Sequence, residues 1–194
     1  MKVGVLALQG AFIEHIQMLR RLRVEAVEVR LPAQLESLDG LIIPGGESTT
    51  IGKLANDFGL IEPLRQFGAQ KPIWGTCAGA IFLSKDAHRK QPLLELMDIT
   101  VERNAFGRQV ASFEVDLEVP VFKQMSLNGK PYHAVFIRAP LIASVQGDAH
   151  TLARLDDGRI VAAQQGRLLA TSFHPELTED DRFHRYFLKV AGSG

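Results

Sequence analysis

The sequence predicts an α/β fold, a three-layer sandwich with a mainly parallel central sheet flanked by helices, and three observations point to it. Short, nearly continuous apolar runs such as Val3–Leu8 suit strands covered on both faces. Between the early runs, apolar residues recur at helical spacing. Strands alternating with helices imply right-handed crossovers and parallel pairing. At 194 residues with 46% hydrophobic content, the chain can bury a full core, and this length favours one domain spanning 1–194.

The elements follow in order. After the Val3–Leu8 strand, Phe12, Ile16, Leu19 and Leu22 mark a helix whose solvated side carries Glu14, Arg20, Arg21 and Arg23. A second strand, Ala26–Leu31, stops at Pro32, and a third, Leu41-Ile42-Ile43, runs into Pro44-Gly45-Gly46. Helices are expected around Ile51–Ala55 and Ile61–Phe67, and Ile73-Trp74 begins the next strand. Beyond Asp98 the pattern turns β-rich: Ile99–Glu102, Val110–Val119, Tyr132–Ile137, Thr151–Leu155, Ile160–Ala163 and Leu168–Phe173. Asn128-Gly129 and Asp157-Gly158 read as hairpin turns. The second half should therefore add antiparallel strands to the sheet or build a small subsheet beside it. Thr178–Asp181 fits a capping box for a last helix with Phe183, Tyr186, Phe187 and Val190 as its buried stripe.

Lys plus Arg number 22, as do Asp plus Glu, so the formal net charge is zero and nothing suggests a nucleic-acid partner. One cysteine cannot form an internal disulfide, and no apolar stretch approaches the length needed to cross a bilayer. With a strand-like opening and no apolar signal segment, the expected location is cytoplasmic, away from membranes.

That single cysteine, Cys77, is the strongest chemical signal. In Gly75-Thr76-Cys77-Ala78-Gly79 it follows an apolar run, is flanked two residues away on each side by glycine, and precedes a helix-compatible stretch. This is the layout of a nucleophile elbow, with the sulfur at a helix N-terminus whose partial positive charge favours a thiolate. A lone cysteine out of context is more often an inert buried hydrophobe, and the glycine spacing reverses that.

A thiol nucleophile needs a base. Among six histidines, His15, His88 and His184 are expected in surface or capping roles, and His133 and His150 lack an obvious partner. His174 ends the Leu168–Phe173 run and has Glu176 two residues on, so in an extended segment the carboxylate can hold one imidazole nitrogen while the other faces Cys77. No histidine pair has helical metal spacing, which makes metal binding the weaker reading. Pro44-Gly45-Gly46-Glu47-Ser48-Thr49-Thr50 reads either as a capped turn or as half of an oxyanion hole, in which the N–H groups of Gly46 and Ala78 face a developing oxyanion.

Pro44–Ser48, Gly75–Gly79 and Ser172–Glu176, in this order, resemble the class I, triad-type glutamine amidotransferases. Leu8-Gln9-Gly10, Val101–Gln109, Val135–Pro140 and Ser172–Asp180 narrow the resemblance to the glutaminase subunits of pyridoxal 5'-phosphate synthases, spanning Val3 to about Phe187. The resemblance implies hydrolysis of L-glutamine to glutamate and ammonia, with Cys77 as nucleophile, His174 as general acid and base, and Glu176 orienting the imidazole. It also implies glutamine binding by Gly46, Glu47, Ser48, Arg103, Ile137 and Arg138. No cofactor or metal is expected. The implied partner is a (β/α)8 pyridoxal 5'-phosphate synthase subunit in a hetero-oligomer, which takes the ammonia. Two alternatives stay open: a glutaminase serving another acceptor, such as imidazole glycerol phosphate synthase, and a non-amidotransferase protein using an elbow cysteine as a redox sensor, chaperone or binding module.

Overall fold

The computed structural model describes residues 1–103, 112–125 and 130–192. The first strands form where the apolar runs lie: β1 (Lys2–Leu6), β2 (Glu25–Val29), β3 (Gly40–Ile43) and β4 (Ile73–Thr76). Between them stand α1 (Phe12–Arg21), a 3₁₀ turn (Pro32–Leu35), α2 (Ser48–Asp57) and α3 (Ile61–Gln70). The strand expected to reach Leu31 ends at Val29, two residues earlier, and Pro32 opens the 3₁₀ turn. After β4 come α4 (Ala78–Leu83), β5 (Ser84–Asp86), β6 (Met97–Glu102), β7 (Ser112–Leu117), α5 (Pro120–Gln124) and β8 (Tyr132–Ile137). The chain then runs through β9 (Leu141–Val145), β10 (His150–Arg154), β11 (Ile160–Gln165), β12 (Leu168–Thr171), a 3₁₀ turn (Pro175–Leu177) and α6 (Arg182–Gly192).

The main sheet has the order β2-β1-β3-β4-β12-β11-β9-β6-β5, with β10 paired to β11. From β2 to β12 every neighbour is parallel. From β12 through β11 and β9 to β6 the pairing is antiparallel, and β7 and β8 form a separate antiparallel ribbon. Both expectations for the second half are thus realised: antiparallel additions and a small subsheet. The hairpin at Asp157-Gly158 joins β10 to β11, with Gly158 at φ 87°. Asn128-Gly129 and residues 104–111 lie outside the described residues.

Strand alternation divides the core into two layers. Leu41, Ile43 and Ile73 pack with Ile51, Leu64 and Phe82 from α2, α3 and α4 on one face. Ile42 and Trp74 pack on the other face with Ile16 and Leu19 of α1, Phe183 and Phe187 of α6, and Tyr132 and Phe136 of the ribbon. Aromatic edges fix that second layer, with Tyr132 and Phe183 ring centroids 4.7 Å apart at 85°. The capping box expected from Thr178–Asp181 does not form as such. Thr178 Oγ1 accepts from the Asp180 N–H (3.3 Å), and Asp180 Oδ1 accepts from the Arg182 N–H (3.1 Å), so the helix begins only at Arg182. Among the described residues no helix is long and apolar enough to cross a membrane.

Candidate active site

The site gathers beyond the carboxyl ends of β1, β3, β4 and β12, where a parallel sheet leaves a crevice. Cys77 sits between β4 and α4 with φ 49° and ψ −107°, a left-handed backbone that costs energy for any side chain but glycine. The surroundings hold it there: its N–H donates to the Thr171 carbonyl of β12 at 2.8 Å. The flanking glycines have a steric reason. A Cβ on Gly79 would stand 2.0 Å from the Ile43 carbonyl oxygen, and one on Gly75 would stand 2.4 Å from the Gly79 carbonyl oxygen. The elbow thus packs backbone on backbone.

His174 follows β12 and is anchored by its N–H, which donates to the Val135 carbonyl at 2.8 Å. Its Nδ1 lies 2.7 Å from Glu176 Oε1, so the ring's other nitrogen is free for Cys77. The three side chains are all buried. Burial alone would lower the His174 pKa, yet hydrogen bonds to Cys77 and Glu176 and the accompanying charge attraction outweigh it and push it up to about 10. A protonated imidazole is therefore favoured between sulfur and carboxylate.

A cavity of about 550 Å³ opens over Cys77 and His174. Gly46, Glu47, Ser48, Ala78, Arg103, Ile137 and Arg138 all line it, so every residue predicted for the site reaches it except Glu176, which lies behind His174. Glu47 caps α2: its carboxylate accepts from the N–H groups of Thr49 (3.3 Å) and Thr50 (2.8 Å) and from both hydroxyls. The Thr49 hydroxyl, together with these other donors, lowers its pKa to about 2. Arg103 Nη2 donates to Glu47 Oε1 at 2.9 Å. Arg138, at φ 43°, is exposed and has no ion-pair partner among the described residues. Ser48 is buried, and its hydroxyl points to Gln91 Oε1 at 3.5 Å.

The Gly45-Gly46 segment is clamped from the loop after β1. The Gly45 carbonyl accepts from the Ala11 N–H at 2.9 Å, and planarity of the trans peptide turns the Gly46 N–H to the opposite side. Gln9 Oε1 accepts from the Glu47 N–H at 2.7 Å. Gly10, at φ 102°, passes so close that a Cβ there would stand 1.9 Å from the Gly45 oxygen. Ala78 opens the first turn of α4, where an N–H has no intrahelical acceptor.

Two expectations are corrected. His15 and His184 are not surface or capping residues: both are wholly buried, His15 adjoins Glu176 from behind, and His184 adjoins His15. The signal was present in the sequence. His15 lies three residues after Phe12 and four before Leu19, and His184 adjoins Phe183 on the apolar stripe of α6. Among the described residues no group of three or more His, Cys, Asp or Glu side chains is placed to hold a metal ion.

The model of the SNO glutamine amidotransferase family matches residues 5–192. A pyridoxal 5'-phosphate synthase subunit PdxT from Herpetosiphon aurantiacus is 62% identical over 193 residues, covering 97% of this chain and 99% of that protein. The subunit of the same name from Moorella thermoacetica is 57% identical, covering 99% of this chain and all of its own length. A crystal structure of a glutamine amidotransferase superposes with a TM-score of 0.91 at 51% identity, covering 99% of this chain and 100% of that one. The structure of PurLQS from Thermotoga maritima, at 16% identity and a TM-score of 0.72, shares the fold.

Proposed function

Because the chain belongs to the SNO glutamine amidotransferase family, we propose that it hydrolyses L-glutamine through a Cys77-His174-Glu176 triad and passes the ammonia to a pyridoxal 5'-phosphate synthase subunit for vitamin B6 synthesis. The observation that carries this reading is His174 held between the Cys77 sulfur and Glu176, at 2.7 Å from the carboxylate, at the floor of the cavity. Cys77 Sγ attacks the side-chain carboxamide carbon, and the oxyanion is met by the N–H groups of Gly46 and Ala78. His174 gives its proton to the departing ammonia, leaving a glutamyl thioester. Water, deprotonated by His174, then attacks the thioester, and Cys77 leaves with glutamate released. Glu176 holds the ring in orientation throughout.

Substrate recognition falls to the opposite wall. Arg138, with no ion-pair partner among the described residues, receives the glutamine α-carboxylate. Glu47, paired with Arg103, offers a carboxylate to the α-ammonium, and backbone groups at Gly46, Ser48 and Ile137 complete the pocket. The reaction uses no cofactor, and the whole chain, 1–194, acts as one domain. The acceptor is a (β/α)8 synthase subunit in a hetero-oligomer, a choice supported by the names of the similar full-length proteins over an imidazole glycerol phosphate synthase partner.

The test is to mix the purified chain with its synthase subunit and measure glutamate release and glutamine-dependent pyridoxal 5'-phosphate formation. The expected result is both activities, with hydrolysis rising when the synthase is added. No pyridoxal 5'-phosphate from glutamine, where added ammonia does support its formation, would overturn the reading.

A further inference from the structure

Behind the triad lie two histidines that the proposed hydrolysis does not use, and they come from opposite ends of the chain. His15 of α1 and His184 of α6 are both fully buried, with His15 Nδ1 2.9 Å from His184 Nε2. His15 Nε2 faces Thr76 Oγ1 at 3.3 Å and Glu176 Oε2 at 3.4 Å. That Glu176 oxygen is buried and has no hydrogen bond of its own, while its twin holds His174. His184 Nδ1 is likewise buried without a partner.

Burial lowers the pKa of both histidines, His15 well below its ordinary value and His184 to about 3, so each ring is neutral with one N–H and one lone pair. Only two proton arrangements fit the short contact between the rings. If His15 carried its proton on Nδ1, its Nε2 lone pair would face a buried carboxylate oxygen, which is repulsive, and His184 would bury an unpaired Nδ1–H. If His15 carries it on Nε2, that N–H faces Thr76 and Glu176, His184 Nε2–H donates to His15 Nδ1, and only a lone pair on His184 Nδ1 is left bare. The second arrangement satisfies more groups and has the favourable charge.

We propose that His15 is a positioning residue for the triad: held by the Nε2–H of His184, it presents its own Nε2–H to Thr76 and the outer oxygen of Glu176, and so fixes the carboxylate that orients His174. This rests on the hydrolytic reading above, and it extends the line of contacts from Cys77 and His174 through Glu176 and His15 to α6. A merely space-filling pair would need no particular tautomer. The positioning role requires one.

Two measurements test it on the full chain. Nitrogen-15 NMR of the imidazoles is expected to show both His15 and His184 protonated at Nε2, and a proton on His15 Nδ1 would overturn the proposal whether or not the chain is active. Kinetics with the synthase subunit present should show His15→Leu lowering kcat by about ten- to a hundredfold with KM for glutamine little changed, the range for a lost hydrogen bond to a charged group. His15→Gln, which can return an N–H near the Nε2 position, should recover most of the rate. A folded His15→Leu chain with wild-type kcat, or a His15→Gln chain no faster than it, would also overturn the proposal. An inactive wild-type complex would instead reject the hydrolytic reading, with the tautomer measurement still deciding the place of His15.

Discussion

One wall of the cavity is buried and chemically tuned, and the opposite wall is open and polar. Cys77, His174 and Glu176 are 7%, 8% and 5% exposed, whereas Ile137 is 39% exposed and Arg138 lies at the surface. The difference follows from where each wall is built. The reactive wall hangs from β4 and β12, paired parallel in the middle of the sheet, where Thr76 faces Thr171 and water is excluded. The wall proposed for recognition comes from the N-terminus of α2 and from the end of β8, in the two-stranded ribbon beside the main sheet. Low-dielectric surroundings strengthen proton transfer and charge stabilisation, while a pocket that must admit and release a zwitterion is better left wet at one side.

If the walls divide labour in this way, changes on the buried one should strike turnover. Cys77→Ala is expected to reduce glutamate release to background with the fold retained, and turnover near the wild-type value would break the division outright. His174→Asn should do nearly as much. Glu176→Gln should lower kcat by about 10²–10⁴, since the imidazole loses its orienting anion. A stopped-assay comparison of all three, each with saturating synthase, ranks the members of the triad.

The elbow itself can be probed through stability. Gly79→Ala would push a methyl against the Ile43 backbone, which cannot move aside as a side-chain tip does, so a loss of about 3 kcal/mol in urea unfolding is expected. Unchanged stability would mean that the β3–α4 contact is looser than its geometry implies.

On the open wall, Arg138→Ala is expected to raise KM for glutamine about tenfold with a smaller change in kcat, as for one charge-assisted hydrogen bond lost from a wet site. A fall in kcat at constant KM would place Arg138 with the chemistry instead. The smallest effect concerns pH. The folded-state pKa of His174 is raised from 6.5 to about 10, so its contribution to stability is complete below about 6.5 and is lost as pH climbs toward 10. Thermal unfolding should therefore show wild-type Tm falling across that window more than the Tm of His174→Asn, and parallel curves would remove His174 as the source.

Local chemistry made much of this legible in the sequence. The glycine spacing around Cys77 and the His174-Pro175-Glu176 step are local: a strand-to-helix turn places Cys77, and Pro175–Leu177, expected to be extended, forms a 3₁₀ turn that still brings Glu176 back to His174 two residues away. Periodicity likewise marked most strands and helices to within two or three residues, while the strand β9 (Leu141–Val145) went unmarked, and the short α5 and the strand β5 carried too few residues to show a period. The Val101–Gln109 and Asn128-Gly129 segments were singled out, yet residues 104–111 and 126–129 lie outside the described structure.

The sequence by itself marked Cys77 and His174 as the proposed nucleophile and base, the glycines that let Cys77 turn, and the alternation of strand and helix, because each depends on neighbours a few residues apart. Only the tertiary structure decided that β12 lies beside β4, that Arg103 reaches Glu47, and that His15 and His184, 169 residues apart, meet behind Glu176. The physical reason is that a buried polar contact is set by how two helices pack side by side on one face of a sheet. Periodicity reports which face of a helix is covered, but the group that covers it comes from elsewhere in the chain.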